Sequence, residues 1–325
     1  MFEYRNIIKK VHSFSKKVLN KTAVPFEREC DADVCSQLIS ELIDGDNPGM
    51  VARFGSTELM CMMNYWGIKH RPSLVSYLLG NGFEWWWTPN CLKQIEQWSG
   101  FFPAEEQYLN RFCELMIESS RSVDILVSWQ NNERYFEHCL TSSKKIQGLF
   151  LDPFWATKPW TSRLKGKKVL VIHPFANLIK KQYIEKRTVL FENSDILPEF
   201  EISIIKAVQS LGGENNGFNT WFDALQWMES EMDKIDYDVA LIGCGAYGFP
   251  LAAYAKSKGK KAIHVGGSLQ LIFGIKGKRW EDPMYGAKEL GRQGLYPSLF
   301  NRNWVYPGEE GKPKNADKVE GACYW

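Results

Sequence analysis

Apolar positions recur along this chain with two periods, one helical and one strand-like. Near the N-terminus Ile7, Ile8, Val11, Phe14, Val18 and Leu19 return every three or four residues, with Arg5, Lys9, Lys10, Lys16, Lys17 and Lys21 between them. That spacing predicts a basic amphipathic helix. Such a helix suits an anionic membrane surface, and equally a docking face on the protein's own body. Thr22 to Asp31 lacks a period, contains Pro25 and reads as a linker, so residues 1–30 form a leading unit. Val34 to Ile43 predicts an amphipathic helix ending at Gly45. Gly49-Met50-Val51-Ala52-Arg53-Phe54-Gly55 predicts a short strand running into a turn, with Ser56 placed to N-cap a helix that carries Glu58 to Trp66. Pro72 to Trp98 mixes helix with an aromatic loop, Phe83-Glu84-Trp85-Trp86-Trp87. Ala104 to Ser119 reads as a helix, and Asp124 to Ser128 as a strand whose end presents Trp129, Gln130 and Asn131.

Strands come faster after this point. Gln147 to Leu151 reads as one, Lys167 to Pro174 as an all-apolar core strand with a basic lead-in, and Phe200 to Ile205 as a third. Asp238 to Ile242 follows, then a glycine-rich turn, a helix from Phe249 to Ser257, and a strand from Lys261 to Val265. Strands alternating with helices imply an α/β fold: a doubly wound, mostly parallel, Rossmann-like sheet with helices on both faces. Residues 31–305 are expected to form a single catalytic domain, with a point of subdivision near residue 166. Residues 306–325, rich in Pro, Gly and charge in their first part, read as a tail that wraps the surface.

Composition narrows the picture only a little. A chain of 325 residues can bury a substantial core. Its formal charge of +2 gives no sign of nucleic-acid binding by the whole molecule. The 13 Trp and 13 Tyr are numerous, and such flat amphipathic rings serve both cores and carbohydrate surfaces. Eight Cys are scattered without a Cys-x-x-Cys pair, which fits a reducing compartment without disulfides. No apolar run is long enough to cross a bilayer and no signal peptide is recognisable, so a cytoplasmic location is expected, at the inner face of the membrane if the first helix binds lipid.

Gly243-Cys244-Gly245-Ala246-Tyr247-Gly248 matches Gly-x-Gly-x-x-Gly in the context that gives the pattern meaning, between a core strand and a helix. Glycines there let backbone approach a phosphate, and the helix start offers N–H groups and a positive dipole end. Pro250 suits the first helical turn. A nicotinamide dinucleotide would need an acidic residue about 20 positions onward, but the next strand ends His264-Val265-Gly266-Gly267-Ser268. A standard NAD site is therefore excluded, which leaves a phosphate-bearing ligand or a turn that only packs helix on sheet. Gly266 and Gly267 share the ligand-facing sheet edge, and Lys276-Gly277-Lys278-Arg279-Trp280 follows, either to clamp a diphosphate or as a solvated loop.

Arg53-Phe54-Gly55-Ser56-Thr57-Glu58 sets a cation and a carboxylate on either side of a strand-to-helix turn, Arg53 for phosphate and Glu58 as base or metal ligand. Glu58 also suits the helix dipole alone. His173 ends a core strand at the same edge, while Lys180, Lys181, Gln182 and Tyr183 on the next helix could reach phosphate. Asp236 and Asp238 precede their strand and read as structural. No zinc spacing, Gly-x-Ser-x-Gly elbow or Walker lysine is present.

These residues resemble the GT-D type of bacterial glycosyltransferases, found with surface-polysaccharide and glycoprotein assembly. Such enzymes open with a strand and an Arg-Phe-Gly-Asp-Gly-Glu turn. They close with a strand, a glycine-rich turn, a helix and a second strand followed by a Trp-containing loop. Here Arg53 to Glu58 stands for the opening, and Gly243 to Gly248, Gly266-Gly267 and Trp280 for the closing; between them the match is thin. The resemblance implies transfer of a sugar from a nucleotide diphosphate donor to an acceptor hydroxyl on a glycan or lipid carrier. On that reading Glu58 and His173 carry the chemistry. Arg53, Gly55, Ser56, Gly243, Gly245, Ala246, Tyr247, Gly248, Gly266, Gly267, Lys278 and Arg279 hold the donor, and Trp85, Trp86 and Trp129 the acceptor. Ser56 replaces the first carboxylate of the family's Asp-x-Glu motif, which weakens a divalent-cation site and leaves Mn or Mg dependence open. The replacement also admits a non-catalytic nucleotide- or sugar-phosphate-binding regulator or scaffold of a polysaccharide assembly complex. A further alternative is another enzyme of phosphorylated small molecules, with Glu58 and His173 as its acid/base pair.

Overall fold

The apolar strand cores assemble into one sheet. The computed structural model describes residues 2–325 apart from 22–23, 212–213, 215, 309–311 and 313–321. Seven strands, β1 (Gly49–Ala52), β2 (Ile125–Ser128), β3 (Lys144–Gln147), β4 (Lys168–His173), β5 (Glu201–Lys206), β6 (Val239–Ile242) and β7 (Lys261–His264), lie in the order β3-β2-β1-β7-β6-β4-β5. Every pairing is parallel. Parallel strands need covered faces, and each strand sends alternate residues into two separate cores. Met50, Ala52, Leu170, Ile172, Ala240 and Ile242 enter the core that includes Phe101, Phe112, Trp221 and Phe249. Val51, Val127, Val169, Val171, Leu241 and Ile263 enter the other, with Ile39, Trp160, Ile179 and Tyr296.

The principal helices are α1 (Phe2–Val18), α2 (Ala32–Asp44), α3 (Ser56–Lys69), α4 (Leu74–Leu78), α5 (Pro89–Ser99), α6 (Glu106–Ser120), α7 (Ala176–Leu190), α8 (Trp221–Met232) and α9 (Gly248–Ser257). The first core takes its helical layer from α3, α5, α6, α8 and α9, the second from α2 and α7. The chain is thus doubly wound. β1 to β3 form one half of the sheet and β4 to β7 the other, meeting at the β1–β7 boundary. β1→β2→β3 and β6→β7 step toward the β3 edge while β4→β5 steps away from it, so the winding reverses between β6 and β4. In open α/β sheets, ligands bind outside the C-terminal strand ends at such a reversal.

Two local expectations need correction. The strand expected at Gln147 to Leu151 ends at Gln147, and Gly148–Leu151 is a 3-10 helix. The pairing residues are Lys144-Lys145-Ile146-Gln147, whose lysines stay at least partly solvated. Ser56 is not the N-cap of α3: Gly55 holds that position in extended backbone, and Ser56 is the first helical residue. Within the stretch expected as linker, Phe26 is buried and the Glu29 backbone pairs alongside β3, taking the Gln147 amide at 2.9 Å and donating to Lys145 at 2.9 Å. Most of the expected tail lies outside the described residues. Its last four, Ala322–Trp325, fold inward, with Cys323 buried.

Candidate functional site

All seven strands point their C-terminal ends at one cavity of about 580 Å³. Arg53 follows β1, Trp129 follows β2 and Gly148 follows β3. His173 closes β4, Val208 lies just past β5, Gly243 follows β6 and His264 closes β7. The volume is within the range of small-molecule sites. The residues expected to form the site largely meet there: Glu58 and His173, expected for chemistry, and Arg53, Gly55, Ser56, Gly243, Gly245, Ala246, Tyr247, Gly266, Gly267 and Arg279, expected to hold the donor, all line it. Four do not. Gly248 lies behind the wall against His264, Lys278 is exposed and outside the lining, and Trp85 and Trp86 pack with Ile8 and Tyr77 near α1. Trp129 does line the cavity. Of the α7 group, Lys180 and Lys181 face solvent, while Gln182 donates to the carbonyls of Gly274 and Asn303 and Tyr183 to that of Phe200.

Arg53 is the cation that follows β1 into the site. Its guanidinium lies 5.2 Å from the centre of the Trp129 ring. That ring is itself fixed, because its indole N–H donates to the Phe54 carbonyl at 2.9 Å. Gln130 donates to the same carbonyl at 3.2 Å, so the turns after β1 and β2 are tied together. Beneath them sits Glu133, fully buried, which accepts from Ser128 Oγ at 2.5 Å and from the backbone amides of Trp129 and Gln130. Burial pushes its carboxyl above the ordinary value, against the opposing pull of those donors and of Arg28. Arg28 reaches the same corner and donates to the Ser128 carbonyl at 2.9 Å. On the other side of the boundary, Arg53 comes close to the Gly266 backbone. Asp152 accepts from Ser268 Oγ at 2.6 Å and Tyr296 Oη at 2.5 Å. Burial raises its carboxyl too, opposed by those two hydroxyls and by the Arg53 charge.

The glycine turn forms as the pattern requires, yet much of its glycine content serves packing. Gly245 adopts φ +58°, where a side chain is strained. A Cβ on Gly243 would lie 2.5 Å from the Gly266 carbonyl oxygen, and one on Gly248 would overlap the His264 ring. Gly267 is constrained by Tyr324, whose ring occupies the space a side chain would need. Arg279 stacks on Tyr324 at 4.8 Å and contacts Cys323 Sγ at 3.0 Å, so the final residues form a wall of the cavity with Trp325. Gly55 is likewise set by its neighbour, since a Cβ there would overlap the Glu58 carboxylate. Glu58 is the third residue of α3 and folds back over the N-cap, where a carboxylate meets the positive end of the helix.

No family model, curated protein or solved structure matches the chain.

Both histidines of the site are neutral. Burial holds His173 down to about 3, and burial followed by the Arg53 charge does the same for His264. The Phe175 amide donates to His173 Nδ1 at 3.0 Å, which places the neutral ring's proton on Nε2. In that form His173 Nε2 is a donor group and takes no proton. His264 Nδ1 is buried without a hydrogen-bond partner. The cavity's charge thus comes from Arg28, Arg53 and Arg279 against Glu58 and Glu289. A divalent cation fits this set poorly. Both Asp152 oxygens are engaged by hydroxyls, and among the described residues no group of three or more His, Cys, Asp or Glu could hold a metal. Sequence patterns missed Arg28, Asp152, Tyr324 and Trp325, whose places come from contacts across the chain, and also Glu133, which is close in sequence to its partners, and His264 at the end of β7, to which no motif assigns a role.

Proposed function

We propose that the cavity binds a nucleotide diphosphate-sugar and that the protein transfers the sugar to an acceptor hydroxyl. The observation that carries the reading is the convergence of Arg53, the Gly243–Tyr247 turn and Gly266 on one cleft at the β1–β7 boundary. Three arginines supply charge for a diphosphate, and guanidinium groups suit its paired oxygens. Trp129, Tyr285 and Trp325 offer flat faces to a base or sugar. In the transfer, the acceptor oxygen bonds to the anomeric carbon as the bond to the diphosphate breaks. The hydroxyl proton passes to a base, for which Glu58 is the carboxylate at hand, and the arginines stabilise the departing charge. No step runs through a metal.

A second reading, a non-catalytic binder of the same ligands within a polysaccharide assembly complex, is favoured by one observation. Glu58 lies folded over Gly55, in the position of a helix-capping carboxylate.

Thermal unfolding with UDP-, GDP- and CMP-sugars, with and without Mn²⁺, separates the readings. Ligand at 100 times its Kd adds about 2.7 kcal/mol of stability. Stabilisation by one nucleotide class, lost in Arg53→Ala, is expected, together with donor turnover that Glu58→Gln abolishes while binding persists. Binding without turnover selects the second reading. No stabilisation by any nucleotide-sugar rules out both.

A further inference from the structure

The first helix is docked by one face and bare on another. Ile8 and His12 are buried, His12 Nδ1 meets the Tyr77 carbonyl at 2.7 Å, and its ring stacks on Tyr77 at 4.0 Å. Around this seam Arg5 lies over Trp86, Lys9 pairs with Glu84 at 3.3 Å, and Lys21 donates to the Leu79 carbonyl at 3.0 Å. The helix is therefore fixed to α4 and to the aromatic loop at Phe83–Trp87. Its second apolar stripe stays in solvent: Tyr4, Ile7, Val11, Phe14 and Val18 are all exposed, Phe14 by 69 %. Their spacing of three and four residues gives a continuous row about 21 Å long. α4, which packs against α1, leaves Leu74 and Val75 exposed, and Leu79 just after it is exposed too. Five large apolar side chains in one row, with three more exposed on the adjoining segment, go beyond the scattered hydrophobics normal for a protein exterior.

Charge decides what covers this surface. Lys10 and Lys17 are exposed on the row next to the stripe, and α1 carries only one acid, Glu3, while α4 carries none. A second copy of the chain packed stripe to stripe would bring like-charged lysine rows together. An anionic lipid surface would accept the apolar row at the acyl boundary and the lysines at its phosphates. We infer that α1 and α4 form a peripheral docking surface for anionic membranes. Among the described residues no helix is long and apolar enough to cross one, so the contact lies in the plane of the interface.

The surface is also placed for use. α3 starts at the cavity with Ser56 and ends beside this module, where Gly67 packs against the Phe83 and Glu84 backbone. One helix length, about 20 Å, separates the cavity from the docking face. The inference itself stands independently of what the cavity binds.

Flotation of the full-length chain with phosphatidylcholine vesicles, with and without phosphatidylglycerol, tests it. Binding to the anionic vesicles should exceed binding to the neutral ones by about tenfold and weaken as salt rises. Val11→Glu with Phe14→Glu alters only exposed side chains, so the melting temperature and any nucleotide-sugar stabilisation should be unchanged while flotation falls about tenfold. Absence of wild-type flotation, equal flotation of the double variant, or indifference to lipid charge overturns the inference. So does a wild-type dimer that the double variant splits, seen by sedimentation velocity without vesicle binding.

Discussion

Burial shifts two histidines and two carboxyls around the cavity, and they pull stability in opposite directions with pH. His173 and His264 are held near 3 in the folded protein against an ordinary 6.5. Between those values the unfolded chain takes up a proton that the folded ring refuses. Their contribution is thus complete above about pH 6.5 and is lost as pH falls toward 3, with a slope of about 1.4 kcal/mol per unit for each ring. Asp152 and Glu133 have raised values, so the folded state keeps their protons longer than the unfolded chain does and part of the histidine loss is offset in acid. Urea unfolding of wild type and His173→Asn near pH 7 and about pH 5.5 should show a slope shallower in the variant by about 1 kcal/mol per unit. The slope is the test, since the variant also changes packing; parallel slopes would mean that His173 titrates as an ordinary imidazole. Residues of this kind divide by legibility. Arg53 and Gly243 announce themselves because each follows an apolar strand core at a turn. Asp152 does not, since its partners Ser268 and Tyr296 lie 116 and 144 residues away and no local spacing encodes them.

Elements were legible where burial on both faces forced an uninterrupted apolar run. β4 and β6 are central, nearly wholly buried strands, and their sequences name them. β3 lies at the sheet edge, where one side has only the Glu29 bridge, and its two lysines hide the strand while the apolar Leu149-Phe150-Leu151 draws attention to a 3-10 turn. The glycine turn shows a second limit. Its pattern correctly marked a strand–turn–helix junction at the cavity, but it does not say which glycine faces a ligand and which faces protein. Gly248 starts α9 with ordinary helical dihedrals, φ −62° and ψ −39°. Helix propensity alone would make Gly248→Ala stabilising by about 1 kcal/mol. The His264 ring fills the space of the new methyl group, however, and that ring is buried. Gly248→Ala should therefore destabilise the protein by about 1–3 kcal/mol, as overpacking does. Chemical denaturation measures it, and a stabilised variant would show that the ring yields freely and that the glycine is not there to receive it.

At the scale of the molecule, the cavity belongs to neither half of the sheet. The turns after β1 and β2 give Arg53 and Trp129 from one side of the β1–β7 boundary, while those after β6 and β7 give Gly243–Tyr247 and Gly266–Gly267 from the other. A ligand that spans Arg53 and the glycine turn must contact both sets of loops at once, and loops at strand ends are among the segments that open most readily in a native α/β protein. Binding adds its free energy only to states in which both sets are formed. Hydrogen exchange with a stabilising nucleotide-sugar should accordingly slow amides in residues 53–57 and in residues 243–248 and 266–268 together. The amides of β5 at the far edge should change little. Protection confined to one side would place the ligand away from the β1–β7 boundary, and Arg53 and the glycine turn would then be neighbours by folding alone.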